Sequence, residues 1–314
     1  MKKIFLTLAV FVMALCANAQ KNQYFWYQGN LMMGNPIAQI DSVTFGEGEP
    51  ADTLHIMLPR TIIKTVHDTV YITIHDTVCP NAIPEGALAG EFSVSADKKV
   101  RFSKGNLQYQ ASTDTWRFAD NQYDIIGNAN SNISTTYNGW IDLFGRGTGD
   151  NPTKTSTSAS AYSSFTDWGN NAISNGGSRV NLWRTLTADE WSYLTLYRNN
   201  ASTLIGSATV NNIHGYIILP DTWTNPNGIS FNAGSNGWTN NVYNEEQWEI
   251  MEKAGALFLP ATGYRNGKSC YEIQTDGHYW STGYEHWWYN YQYHYMRTMD
   301  AYSGRAVRLV QDIK

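Results

Sequence analysis

Apolar residues along this 314-residue chain change their spacing three times, and each regime predicts a different kind of element. Ile4 to Leu15 is an almost unbroken apolar run behind Lys2 and Lys3, and the small residues Ala17-Asn18-Ala19 follow it. This is the layout of a secretory signal peptide over 1–19, cleaved after Ala19. The run is shorter than the ~20 residues that a membrane-crossing helix needs, and no later stretch is long and apolar enough to span a bilayer. Leu15 directly before Cys16 fits lipid-anchor processing poorly. In 20–60, Tyr24-Phe25-Trp26-Tyr27 and Ile40 to Phe45 read as two short strands around a Gly-Asn-Pro turn region. Thr61 to Val78 then alternates β-branched and polar residues without Gly or Pro, which predicts an extended β stalk or linker over 61–84. The breaker cluster Cys79 to Gly86 closes it, and a large domain over 85–314 follows.

Within that domain the periodic segments are short. Glu91 to Ala96 and Lys98 to Tyr109 read as two strands joined at Asp97-Lys98-Lys99, and Trp116 to Ile126 as a further strand pair. Thr148 to Ser164 is a Ser/Thr/Asn-rich surface loop. Two helices carry start signals. Thr187-Ala188-Asp189-Glu190 is a capping box with Trp191, Leu194 and Tyr197 or Arg198 at helical spacing behind it. Asn244-Glu245-Glu246-Gln247 opens the second, with Trp248, Ile250 and Met251 as its apolar side and Gly255 as its stop. Short strands follow at Ala256 to Pro260, Tyr279 to Ser281, Tyr289 to Met296 and Ala306 to Val310. A few helices among many short strands predict an α+β fold with long loops.

Composition sharpens this. Charged residues are only 16% of the chain and aromatics 14%, so contact area has replaced charge relative to an average domain. The net charge of −5 argues against a nucleic-acid surface, which needs a basic stripe. Removal of the leader leaves 20 basic residues against 27 acidic ones, a net charge of −7.

Candidate chemistry is sparse. His67-Asp68-Thr69-Val70 recurs as His75-Asp76-Thr77-Val78, but eight residues of one strand separate the imidazoles by about 26 Å, too far for one ion. His278, His286 and His294 are also eight apart, with no flanking ligand pattern, so no residue is assigned to a metal and no cofactor is expected. No H-E-x-x-H, G-x-S-x-G or P-loop occurs, and no catalytic residue is assigned. The exported chain retains Cys79 and Cys270, which the sequence leaves either paired or free.

Five blocks together carry a resemblance: Val100 to Tyr109 (VRFSKGNLQY), Trp140 to Gly145 (WIDLFG), Trp183 to Trp191 (WRTLTADEW), Gly255 to Arg265 (GALFLPATGYR), and Tyr279 to Thr282 closing with Arg305 to Val310. Gly90 to Val310 resembles the C-type-lectin-like domain of secreted bacterial proteins, and is similar to the Fib-succ-major paralogous family. The resemblance implies a C-type-lectin-like fold with Trp183, Trp191 and Trp280 as core aromatics. The same fold includes formylglycine-generating enzymes, whose paired thiol site is not matched, since only Cys270 lies in that half. The E-P-N and W-N-D sugar motifs of calcium-dependent lectins are also missing.

One segment stands apart. Ten of the 24 residues from Tyr279 to Tyr302 are aromatic, and Tyr289, Tyr291, Tyr293 and Tyr295 alternate with Asn290, Gln292 and His294. On one strand this places four tyrosines on one face. Two readings stand: a core strand with Tyr in place of aliphatics, or a recognition surface of the composition seen in antibody loops. Trp287-Trp288-Tyr289 in succession favours some exposure. The resemblance extends to retroelement-diversified variable proteins, whose diversified stretch precedes the final strand. The expected ligand-binding residues are therefore Tyr284, His286, Trp287, Trp288, Tyr289, Asn290, Tyr291, Gln292, Tyr293, His294, Tyr295, Arg297, Asp300 and Tyr302. The function expected is an exported or cell-surface, adhesin-like, non-enzymatic protein that binds a protein or glycan. Its alternative is a fimbrial-type assembly component with the aromatic segment buried between subunits. Asp41-Ser42-Val43, Asp52-Thr53-Leu54, Asp68-Thr69-Val70 and Asp76-Thr77-Val78 also resemble a bacterial O-glycosylation sequon.

Overall fold

The computed structural model describes four strands in the N-terminal region, Asn22–Tyr27 (β1), Asn30–Pro36 (β2), Ser42–Gly46 (β3) and Thr53–Met57 (β4), and then residues 83–313. The chain divides into two compact units, Met1–Ala82 and Ile83–Lys314. The leader 1–19, stalk residues 61–82 and Cys79 lie outside the described residues. In the first unit β1 pairs with β2 and β3 with β4, both antiparallel. The two strands read from the sequence therefore belong to separate hairpins. The Gly-Asn-Pro stretch between them forms the end of β2 rather than a turn.

The second unit is mixed α+β, with two short α-helices and many short strands. Phe92–Ser93 (β5) and Lys99–Phe102 (β6) form a hairpin, closed by the Val94 and Ser95 amides donating to the Lys98 carbonyl. The strand expected from Lys98 to Tyr109 breaks at Ser103–Asn106. Its second half, Leu107–Gln110 (β7), joins another sheet with Thr115–Phe118 (β8) and Trp140–Ile141 (β9). Gly105 sits against the Ala119 backbone, where a side chain would not fit, and this close approach turns the chain between the two sheets. Residues after Phe118 form turns, so the strand pair expected over 116–126 is the single strand β8.

Thr187 caps α1 (Ala188–Ser192): its hydroxyl accepts from the Glu190 amide while the Glu190 carboxylate accepts from the Thr187 amide. A π-helical turn over Tyr193–Tyr197 follows, so Arg198 rather than Tyr197 lies inward. Arg184 forks between Glu190 and Asp312, tying the helix start to the last strand, Val310–Asp312 (β19), which pairs with β6. Replacing Thr187 by Ala should lower unfolding free energy by about 1 kcal/mol in urea titration, the ordinary value of such a cap.

Ile205–Val210 (β10) and Ile213–Ile218 (β11) form the hairpin at the centre of a four-stranded sheet with Val242–Tyr243 (β12) and Leu257–Pro260 (β13). Asn211 and Asn212 at its turn both have left-handed backbone, φ 46° and 66°, as a tight two-residue hairpin turn requires. The second helix, α2 (Glu245–Lys253), starts with the Asn244/Gln247 capping box and stops at Gly255, φ 99°. Trp248 and Met251 are buried, whereas Ile250 points outward, correcting its place on the apolar side. Tyr264–Asn266 (β14) pairs with Ser269–Tyr271 (β15), and Gly277–Trp280 (β16), Glu285–Tyr289 (β17) and His294–Thr298 (β18) make a three-stranded sheet. The expected strand over Ala306–Val310 is a bridge at Ala306 followed by irregular chain, with β19 beginning only at Val310. Trp183, Trp191 and Trp280 are all buried. No helix among the described residues is long and apolar enough to cross a membrane.

Candidate functional site

The sheet β16–β17–β18 holds the aromatic segment, and its two faces meet different surroundings. Strand alternation puts Tyr279, Trp287, Tyr289, His294 and Met296 on one face and His278, Trp280, His286, Trp288, Tyr295 and Arg297 on the other. The first face lies on the main core. Trp287 stacks on Trp191 with ring centroids 5.4 Å apart and planes 4° from parallel, and meets Tyr216 edge-on. The phenol of Tyr289 donates to the Leu259 carbonyl and that of Tyr279 to the Pro260 carbonyl at 2.8 Å. Burial thus costs these hydroxyls little, because each has a partner.

The second face is covered at its base. Tyr264 packs edge-on against His278, the Arg305 guanidinium lies 4.4 Å over the Trp280 ring, and the Trp280 indole donates to the Phe144 carbonyl. Burial pushes Arg305 down to about 9. Strand β17 is therefore buried on both faces. His286, Trp287, Trp288 and Tyr289 all lie inside, against the expectation that some of this run would be exposed and would bind ligand. On the outer face His286 is enclosed by the rings of His278 and Trp280, and Trp288 by Tyr295, Arg297 and Asp276, while Tyr264 of β14 covers His278.

The tyrosine alternation is likewise not one strand. Asn290 ends β17: its side-chain oxygen accepts from the Gln292 and Tyr293 amides, both at 2.9 Å, and its own amide donates to the Tyr293 carbonyl. This side-chain turn folds the segment into a hairpin. Tyr289 is consequently buried, while Tyr291, Tyr293 and Tyr295 are 48%, 55% and 45% exposed. Gln292 is exposed at the tip, Asn290 is half-buried, and His294 turns its ring inward against Tyr216. Tyr295 packs on Trp288, and Arg297 lies over the same indole.

The remaining expected residues are elsewhere. Tyr284 precedes β17, a five-residue strand of about 17 Å that separates it from the tip, and its ring is held 3.9 Å under the Arg146 guanidinium. Asp300 and Tyr302 are bonded to each other at 2.7 Å in the loop after β18. The tip gains a residue that sequence reasoning missed. Trp238, half-buried in the loop before β12, meets Tyr291 edge-on and stacks on His214. A lone Trp directly after the Gly-Ser-Asn-Gly run 234–237 was the available signal. Tyr271 adds another exposed ring at the end of β15.

The histidine spacing also has a different outcome from that expected. His278 and His286 lie on adjacent antiparallel strands, and their rings come together with Nδ1 of His278 3.2 Å from Nε2 of His286. Eight residues span a hairpin rather than one strand, so the pair needs no long loop. His294 lies on the opposite face. Nε2 of His278 is 3.4 Å from Glu272, whose turn leads into β16 and also supplies Asp276. Burial pushes His278 down to about 4. Burial, then the neighbouring Glu272 charge, pushes Asp276 up to about 6, although the Trp288 indole donates to it at 2.9 Å. Cys270 is half-buried and has no disulfide partner among the described residues, and burial pushes its thiol up. A polar cavity of about 180 Å³ lies apart from this sheet, lined by Ser230, Asn232, Asn240, Asn241, Tyr243 and Gln247 among others.

Comparison with protein-family models, with curated proteins and with solved structures finds no match to this chain.

Proposed function

We propose that this chain is an exported, surface-displayed binding protein, adhesin-like and non-enzymatic. In this reading the second unit takes a C-type-lectin-like fold and presents the β17–β18 tip to a protein or glycan. One observation carries the proposal: Tyr291, Tyr293 and Tyr295 are exposed on a hairpin whose root, Trp287 to Tyr289, is fixed in the interior. Exposed tyrosines on a rigid support offer large contact area and polar tips at low entropy cost, the combination favoured in binding loops. Gln292, Trp238 and Arg297 widen the surface.

The binding set is thereby narrower than the aromatic segment. If the segment is diversified by a retroelement, variation falls on 291, 292, 293, 295 and 297 and spares 286–289, because changes there would empty the core. A template repeat and a reverse transcriptase gene beside the coding sequence are the observation to seek.

The triple variant Tyr291→Ala/Tyr293→Ala/Tyr295→Ala tests the binding reading on protein and glycan arrays. Signal should fall at least about tenfold, while unfolding free energy changes by less than about 1 kcal/mol, as for surface substitutions. Undiminished binding by the triple variant would sink the proposal. Array silence combined with self-association that the triple variant abolishes would instead favour the assembly-component reading.

A further inference from the structure

The turn after β15 and the first residues of β16 bring three metal-ligating side chains together. Glu272, Asp276 and His278 each present one ligand atom, and these atoms lie within 4.8 Å of one another. The backbone fixes the grouping: the Thr275 and Asp276 amides both donate to the Glu272 carbonyl, so the two carboxylates leave the same tight turn. Among the described residues, no lysine or arginine makes an ion pair with either carboxylate.

The hydrogen bonding of the two imidazoles decides what the cluster offers. Among the described residues Nδ1 of His286 is buried without a hydrogen-bond partner, and its Nε2 faces Nδ1 of His278. A proton on that nitrogen leaves Nε2 of His286 as the acceptor. His278 then donates from Nδ1 across the 3.2 Å contact. The lone pair of His278 is left on Nε2, the atom that faces Glu272. In this assigned tautomer an imidazole lone pair and two carboxylates converge, and the donor that reaches them is the Trp288 indole, on Asp276. A bound cation would neutralise such a group of acceptors. His286 acts as the outer partner that orients the ligand ring, as metal-bound histidines usually require.

We propose that Glu272, Asp276 and His278 form a binding site for a first-row divalent cation of the Zn²⁺ class. The 3.4 Å separation of His278 Nε2 and Glu272 Oε2 is the edge expected of a tetrahedron with ligand bonds of ~2.1 Å. The third ligand atom lies within 4.8 Å of the other two, so a shift on the order of 1.5 Å completes the face. One nitrogen and two carboxylate oxygens select a borderline metal over Ca²⁺, which takes oxygen ligands. Glu272 is partly exposed, so an ion has a route in and a coordination position remains open toward solvent. The site is independent of the tip tyrosines and stands or falls without them.

Isothermal titration of ZnCl₂ into the EDTA-treated full chain near neutral pH tests this. The expected result is a binding event that Glu272→Gln and Asp276→Asn each weaken at least about tenfold. The unfolding midpoint of each metal-free variant serves as its folding control, and Zn²⁺ should raise the midpoint of the natural chain but not of the variants. No Zn²⁺ binding, or equal affinity in the natural chain and both folded variants, overturns the assignment. CaCl₂ binding at these residues in place of ZnCl₂ overturns it as well.

Discussion

Trp287→Ala should cost about 3–5 kcal/mol and leave the second unit unfolded or close to it, because most domains hold only 5–15 kcal/mol in total. The indole is completely buried at the crossing of three elements: it stacks on Trp191 of α1, meets Tyr216 of β11 edge-on, and lies beside Tyr289 of its own strand. Truncation to a methyl group removes these contacts together and opens a cavity that Trp191 and Tyr216, each fixed by other neighbours, cannot fill by small shifts. Urea unfolding followed by Trp fluorescence reads the loss. A change below about 1 kcal/mol would place the ring outside the core and reopen the reading of the whole segment as a binding face. The same measurement on Tyr291→Ala should show almost no change, since that ring is about half exposed. Neighbouring aromatics of one sequence run thus differ severalfold in energetic role.

That contrast shows which parts of the molecule were legible in the sequence. Local chemistry was. Thr187/Glu190 and Asn244/Gln247 form the two capping boxes their spacing announces, and Gly255 stops the second helix. Non-local layers were not. Trp287 and Tyr289 are buried on the core face against Trp191 and Tyr216, and His286 and Trp288 are buried on the other, where Tyr264, Arg305 and Asp276 cover the sheet. Nothing within the segment reports that cover. The tyrosine period of two continues through Asn290, so the hairpin was hidden behind an unbroken alternation; only the Asn side chain, bonded to two following amides, marks the turn. The β10–β11 hairpin could have been read, since Asn211-Asn212 between two β-branched runs is a turn signal. The His278–His286 contact was also within reach of the sequence, because an eight-residue spacing spans a hairpin as readily as a longer loop.

A second large effect is expected from Asp142, a fully buried carboxylate directly after β9. It accepts from the Ile126 amide at 3.0 Å and from the Asn130 side chain at 2.7 Å. Burial outweighs these bonds and pushes its carboxyl up to about 6, against 3.8 for the ordinary group. The folded state therefore holds a proton at pH values where the unfolded chain has released it. Stability from this group is fully present below about 3.8 and is lost as pH rises through about 6, a total of about 3 kcal/mol. His278 and His286 act the other way. Burial lowers both, so the fold keeps them neutral while the unfolded chain takes up protons, and stability falls as pH drops below about 6.5. The two trends partly cancel in the natural chain, so its own pH profile would conceal each of them. Comparison with Asp142→Asn separates them, because the histidines contribute equally to both proteins. The asparagine amide places a donor against the Ile126 amide or the Asn130 side chain, which shifts the variant by a constant amount. On passing from pH 7.5 to about 4, the stability difference should move by about 3 kcal/mol in favour of the natural chain. Urea titrations of both proteins at several pH values would measure it. A difference that stays level across that range would mean that Asp142 ionises as freely in the fold as in the unfolded chain, and that its bonds to Ile126 and Asn130 fully offset its burial.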